Sequence, residues 1–193
     1  LEAAKAKYNF QVHYPGAGVG GPCLPINSYQ LLNTAKRIGS DLSIIESSRK
    51  INENMPEHVL KLTLDAFEDC KKSIEKSKIL IMGISYKPDV KDIQLTPAEV
   101  IIKKLQKLGV DIHIYDPYFV STEVFGIKTE QNLENIICNV DAAIIITGHQ
   151  EFKNLDICIF NQMKSPILID TRGIIDPSSA NNNHLIFRGL GRG

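Results

Sequence analysis

The sequence has no excess of either charge: Lys plus Arg and Asp plus Glu number 22 each in 193 residues. Divided at Ser77, the chain carries 10 basic and 9 acidic residues before that point and 12 and 13 after it. Neither part has the basic excess that a phosphate backbone demands, so nucleic acid is not an expected partner. No apolar run approaches the roughly 20 residues that span a bilayer, so neither a membrane span nor a signal peptide is expected. Cysteine is sparse, and Cys23, Cys70, Cys138 and Cys158 stand far apart, with no C-x-x-C pair and no histidine at ligand spacing. No metal site is therefore expected, and a reduced, cytoplasmic setting is the default. Cys138 and Cys158 fall in apolar helical patches and Cys70 near a helix end, so these three read as structural. Repeats and low-complexity segments are missing too. The chain opens at Leu1, without Met and already in helical-looking sequence, which reads as a piece of something longer.

What is present is globular. A hydrophobic content of 43% with 23% charged residues argues against disorder. The length lies between one and two typical domains and can bury a core without disulfides or metals. Residues 1–7 read as the tail of a helix, and residues 8–22 as loop, with Pro15 and four glycines between Gly16 and Gly21. From Cys23 to Ile38 the pattern is helical, with Leu31, Leu32 and Ala35 on one side and Gly39 as a stop. Ser40 and Asp41 can cap a long helix whose stripe is Ile44, Ser48, Ile51, Met55, Val59, Leu62 and Ala66. Pro56 falls inside that stripe and should kink or divide the helix. So long an apolar face needs cover, and packing within the chain and a dimer core carry equal weight.

After Lys76 the period changes. Short apolar runs at 79–82, 112–115, 143–146, 167–169 and 185–187 alternate with helical stretches, the clearest at 97–108 with Pro97 in its first turn and Gly109 as stop. The alternation predicts an α/β fold: a Rossmann-like, open, mainly parallel sheet with helices on both faces over residues 77–193. Residues 1–76 form a helical region with one long helix.

Gly16-Ala17-Gly18-Val19-Gly20-Gly21 satisfies G-x-G-x-x-G, but the dinucleotide motif requires a buried strand before it and a helix after. Gln11-Val12-His13-Tyr14-Pro15 is too polar for a central strand, and Pro15 cannot donate to a ladder. The better reading treats the loop as a lead into Cys23. Glycines let backbone approach a ligand closely, and Cys23 falls at a helix N-terminus, where orphan N–H groups and the dipole favour thiolate. Such a thiol can act as a nucleophile. A small buried hydrophobe is the competing role, and on chemistry alone the two weigh evenly.

Several segments then carry a resemblance. Pro15-Gly16-Ala17-Gly18-Val19-Gly20-Gly21-Pro22-Cys23-Leu24-Pro25 resembles the active-site loop of the UDP-glucose/GDP-mannose dehydrogenase family, and most of all its UDP-N-acetylmannosamine branch, with its G-V-G-G-x-C-I-P signature. Arg49-Lys50-Ile51-Asn52-Glu53-Asn54-Met55-Pro56 looks like the central-helix R-x-x-N-x-x-M-P signature. Gly83-Ile84-Ser85-Tyr86-Lys87-Pro88-Asp89-Val90-Lys91-Asp92 is similar to the G-x-x-Y-K-P-D-x-x-D loop that opens the C-terminal domain. Tyr115-Asp116-Pro117, Thr147-Gly148-His149 and Asp170-Thr171-Arg172-Gly173 continue the likeness, which covers essentially the whole chain.

The resemblance implies oxidation of a UDP-hexose to its uronate with two NAD+, through a thiohemiacetal and then a thioester on Cys23. It implies substrate contacts from Tyr14, Gly16, Gly18, Gly20 and Gly21, a phosphate contact from Lys87, and a place for Arg172 near the nucleotide sugar or the cofactor. It also implies a homodimer through the long helix. Departures stand beside it. Where the family has an acid four residues after the cysteine, this chain has Asn27, which can orient a water but cannot take its proton. Gln94 and Leu95 occupy a stretch where the family continues with an arginine. The NAD-binding domain would precede Leu1, so the chain alone is expected to be inactive. Two other readings are a non-catalytic UDP-sugar-binding and dimerisation module, and an unrelated cysteine enzyme pairing Cys23 with His13.

Overall fold

The protein is described from a computed structural model over residues 2–10 and 12–191. Leu1, Gln11, Arg192 and Gly193, which fall in the expected first helix, loop and α/β domain, lie outside the described residues. A short helix α1 (Glu2–Lys5) and an irregular stretch lead to α2 (Leu24–Arg37) and the long α3 (Ser43–Asp69). α2 ends as expected: Gly39 takes φ +69°, and the Ser40 amide reaches back to the Ala35 carbonyl at 2.9 Å. The N-cap position of α3 falls to Leu42, which makes no side-chain cap bond; the expected cap Asp41 lies one residue earlier and accepts the Ser43 amide on Oδ1 at 2.9 Å.

Of the two outcomes expected of Pro56, a kink or a division, the division does not occur: α3 runs unbroken through it. A proline inside a helix forfeits one donor, here the one owed to the Asn52 carbonyl. That carbonyl faces the glycine loop: a Cβ on Gly18 would lie 3.5 Å from it. The loop approaches on the side where the helix is short of a hydrogen bond.

Five strands, β1 (Lys78–Met82), β2 (Asp111–Tyr115), β5 (Ala142–Ile145), β6 (Ile167–Asp170) and β7 (Ile186–Gly189), form one sheet in the order β2-β1-β5-β6-β7. Every pairing in it is parallel. Between β2 and β5 sits a small antiparallel hairpin of β3 (Glu123–Val124) and β4 (Ile127–Lys128), turning at Phe125 and Gly126, both at positive φ. The main sheet is buried on both faces, which is why its strands read as continuous apolar runs. Ile79, Ile81, Ile144 and Ile169 face Val59, Ala66 and Phe67 of α3 together with Ile101, Ile102 and Leu105 of α4 (Pro97–Lys107). Leu80, Met82, Ile145 and Leu168 face the opposite layer, built from α5 (Leu133–Ile137), α6 (Gln150–Lys153), a 3-10 turn at Ile157–Gln162 and α7 (Pro177–Asn182).

The C-terminal half of α3 thus belongs to the sheet's core, and Lys72 just beyond it bonds Asp141 Oδ1 at 2.6 Å and Ser165 Oγ at 2.9 Å. Its N-terminal half carries α2 and leaves Ile44 and Ile51 exposed. Cys138 and Cys158, read as structural from their apolar surroundings, are exposed, because each sits on the solvent side of a short element whose other face fills the core. Cys70 is half-buried against the α3 layer.

Candidate active site

In an open parallel sheet the crevice lies at the carboxyl ends of the strands, where the chain order reverses. Here that point falls between β1 and β5, because β1 connects outward to β2 on one side and meets β5 on the other. Residues 83–96 follow β1, Thr147 to His149 follow β5, and Arg172 follows β6.

Opposite these loops lies the glycine loop, held from both sides. On the α3 side, Asn52 accepts the Val19 amide on Oδ1 at 2.8 Å and donates from Nδ2 to the Val19 carbonyl at 3.4 Å. On the sheet side, the Gly21 amide donates to the Gln94 carbonyl at 2.8 Å. Gly20 and Gly21 leave no room for a side chain: a Cβ on Gly20 would run into the Leu95 backbone, and one on Gly21 would sit 2.7 Å from the Tyr86 ring. Gln94 and Leu95 therefore hold the loop through backbone alone.

A cleft of about 440 Å³ opens between these elements. Tyr14, Gly18, Gly20, Gly21, Cys23, Lys87 and Arg172 line it, with His13, Tyr86 and Pro88. Cys23 occupies the N-cap of α2 and is exposed. Gly16 is not a lining residue but packs on the Arg172 guanidinium, where a Cβ would collide with it. Asn27 stands one turn along α2, exposed and outside the lining; its amide donates to the Cys23 carbonyl at 2.9 Å. Through Tyr14, Pro88 and Arg172 the cleft continues into a second hollow of about 310 Å³, lined also by Gly148, Lys153 and Ile174.

The electrostatics of the two hollows are cationic. Neither Lys87 nor Arg172 is in an ion pair among the described residues. Burial weakens the hold of the Arg172 guanidinium on its proton, and the nearby Asp170 carboxylate opposes that effect. A half-buried guanidinium without an anion is short of a partner that a phosphate or carboxylate would supply.

Two residues that the sequence flagged only as parts of motifs stand directly behind Lys87. Asp116 and His149 are both fully buried, with Oδ2 and Nε2 3.1 Å apart. Asp116 Oδ2 also accepts the Ile84 amide at 2.8 Å, and its Oδ1 accepts the Tyr118 amide at 2.9 Å. His149 Nδ1 accepts the Asp89 amide at 3.0 Å.

Among the described residues, the Gly16–Gly21 loop lacks the setting of a dinucleotide motif. Gly16–Gly21 follows no strand among the described residues, and its amides at Val19 and Gly21 are already taken by Asn52 and Gln94. The turn after β1 keeps Gly83 but has Ser85 and Pro88 at the later glycine positions of the dinucleotide pattern.

A parallel sheet with its crevice at the reversal point, and a cleft there lined by cations and a thiol, defines an open, Rossmann-like α/β protein. The comparisons narrow this. The central-domain profile of the UDP-glucose/GDP-mannose dehydrogenase family matches residues 1–54, and that family's UDP-binding-domain profile matches residues 80–177. The UDP-N-acetyl-D-mannosamine dehydrogenase of Pyrococcus horikoshii is 34% identical over 194 aligned residues, covering 100% of this chain and 43% of that protein. Its solved structure superposes with a TM-score of 0.84. The NDP-N-acetyl-D-galactosaminuronic acid dehydrogenase of Methanosarcina mazei superposes with a TM-score of 0.85 at 31% identity, over 94% of this chain and 40% of that one. The chain belongs to the UDP-glucose/GDP-mannose dehydrogenase family. It spans about two fifths of the length of such relatives, 43% in the first case.

Proposed function

We propose that these residues form the sugar-nucleotide-binding, nucleophile-bearing part of a dehydrogenase that converts a UDP-hexose, UDP-N-acetylmannosamine by preference, to its uronate. The observation that carries this is the convergence of Cys23, Lys87 and Arg172 on one cleft. Lys87 and Arg172 neutralise the diphosphate, the second hollow takes the nucleoside end, and the glycine loop wraps the sugar so that its oxidised carbon meets Cys23. The Cys23 sulfur adds to an aldehyde carbon, forming the S–C bond while the carbonyl oxygen takes up a proton, which holds an intermediate that would otherwise escape or hydrate. A second oxidation, in which the thiohemiacetal carbon gives up a hydride and its hydroxyl a proton, would leave a thioester; water then attacks the thioester carbon, the S–C bond breaks, and the carboxylate departs while the Cys23 thiol is regenerated. NAD+ is the oxidant of both oxidations in the proposed reaction; the described residues offer it no dinucleotide motif, with Arg172 as the candidate contact among them. Purified chain mixed with NAD+ and UDP-sugar is therefore expected to form no uronate, and turnover would end this part of the reading. A homodimer through the exposed face of α3 and a cytoplasmic setting belong to the same proposal. Among the described residues no helix is long and apolar enough to cross a membrane.

The binding half is tested by a thermal-shift panel of UDP-, GDP- and dTDP-sugars. Ligands that bind only the folded state raise the melting temperature by mass action. UDP-N-acetylhexosamines are expected to give the largest rise; no rise with any of them sinks the proposal. Asn27 favours a second reading, a UDP-sugar-binding module without chemistry, because no carboxylate lines the Cys23 cleft. Uronate formation by the complete dehydrogenase that gains with Asn27→Asp, with Cys23 required, decides for the catalytic reading.

A further inference from the structure

Lys87 sits at the tip of a loop whose two shoulders are tied to the sheet by different members of one buried pair. On the near side, Asp116 receives the Ile84 amide and, more loosely, the Ser85 amide at 3.4 Å. On the far side, the Asp89 amide donates to His149 Nδ1 at 3.0 Å. Ser85 Oγ closes the loop on itself by donating to the Val90 carbonyl at 2.7 Å. Asp89 takes φ +60°, a left-handed conformation that aspartate adopts more readily than most side chains and that its amide bond to His149 holds here.

The hydrogen bonds settle the state of the imidazole. A ring nitrogen that accepts an N–H carries a lone pair, so Nδ1 is unprotonated and the ring proton lies on Nε2, donated to Asp116. Burial alone would push the Asp116 carboxyl up, but the bonds from His149 and from the Ile84 and Tyr118 amides hold it below the usual carboxylate range. Tyr118 and Phe152 pack on the ring with centroids at 5.1 and 5.4 Å, so it has little freedom to turn. His149 is fully buried and lines neither hollow of the cleft, so it cannot touch a ligand there.

We infer that His149 is a positioning residue: as a neutral relay between Asp116 and the Asp89 amide, it holds the Lys87 loop in the form that presents Lys87 to the anionic part of the ligand. This role rests on the nucleotide reading, whereas the clamp itself does not.

The test uses His149→Phe, which keeps a ring but neither hydrogen-bonding group, His149→Gln, which keeps one donor and one acceptor, and Lys87→Ala alone and combined with His149→Phe. Hydrogen exchange without ligand reports the clamp, and calorimetry with UDP reports its effect on binding. His149→Phe is expected to speed exchange at Asp89 and to weaken UDP binding about tenfold, the worth of one charge-assisted contact. His149→Gln restores most of both. In the Lys87→Ala background His149→Phe costs no further affinity, since the two act through one contact. Native-like exchange and affinity in His149→Phe, or an undiminished further loss beside Lys87→Ala, overturn the inference. A native chain with no affinity for UDP sinks the nucleotide reading and the positioning role with it, even if exchange upholds the clamp. In the native protein, nitrogen shifts of the His149 ring should show the Nε2–H tautomer, and the Nδ1–H tautomer would contradict the arrangement with no variant needed.

Discussion

At the scale of single residues, the chain concentrates its chemistry in a few side chains whose partners are missing or fixed. Lys87 and Arg172 have no carboxylate at ion-pair distance among the described residues, so each has an anion to gain. Arg172→Lys is expected to weaken UDP-sugar binding about tenfold in a calorimetric titration, because a point charge cannot replace a planar fork lying against Gly16. Two aspartates are saturated instead. Asp116 and Asp141 lose solvent on folding, which by itself would raise their pKa values. Bonds from His149 and backbone amides to the first, and from Lys72 and the Lys78 amide to the second, bring both below the ordinary 3.8. Groups depressed in this way stabilise the fold fully above their ordinary titration range and lose that contribution as the pH falls through the folded-state values. The urea midpoint is therefore expected to hold steady near neutrality and to fall in the acid range. A smaller acid-induced fall in Asp116→Asn or Asp141→Asn would show that those carboxylates carry it.

At the scale of elements, the glycine loop works by being thin. It passes between Asn52 on α3 and the Leu95 backbone with no space for a methyl group at Gly20. Gly20→Ala is expected to cut UDP-sugar affinity by up to about a hundredfold, since displacing a positioned loop by a fraction of a bond length is enough. Melting temperature should fall as well, because Ala17 of the loop belongs to the buried cluster on the sheet; unchanged affinity would mean that the loop is not part of the site. The sequence showed this loop, the five main strands and α4 because their signals are local: glycine density, runs of β-branched residues buried on both faces, and proline in a first turn. The β3–β4 hairpin escaped because strands of two residues have no period to read. Chemistry left the role of Cys23 evenly balanced, and only the motif tipped it. His149 and Asp116 drew no attention as a pair because they are 33 residues apart and meet only when β2 and β5 flank β1. Cys138 and Cys158 misled because short elements with apolar composition still turn one side to solvent.

At the scale of the whole molecule, α3 is the organising member. Its C-terminal half fills one face of the sheet through Val59, Ala66 and Phe67, and its N-terminal half leaves Ile44 and Ile51 exposed beside α2. If that face is the proposed homodimer seam, replacing both isoleucines with glutamate is expected to give monomers in analytical ultracentrifugation with the circular dichroism intact. Monomers already in the native chain, or dimers that survive the change, would move the seam elsewhere. Phe67→Ala should instead destabilise the fold by about 3–5 kcal/mol in urea unfolding, as expected for a large side chain lost from a packed interior.

The same helix limits how such a protein can be recombined. The thiol loop hangs on Asn52 and the cation-bearing loops hang on a sheet that α3 covers from Val59 onward, so a crossover in the six residues between them would part the two halves of the cleft onto different parents. Shuffled genes that exchange sugar preference among relatives should keep α3 and both loops from a single ancestor, and their breakpoints should cluster before the glycines or after β7.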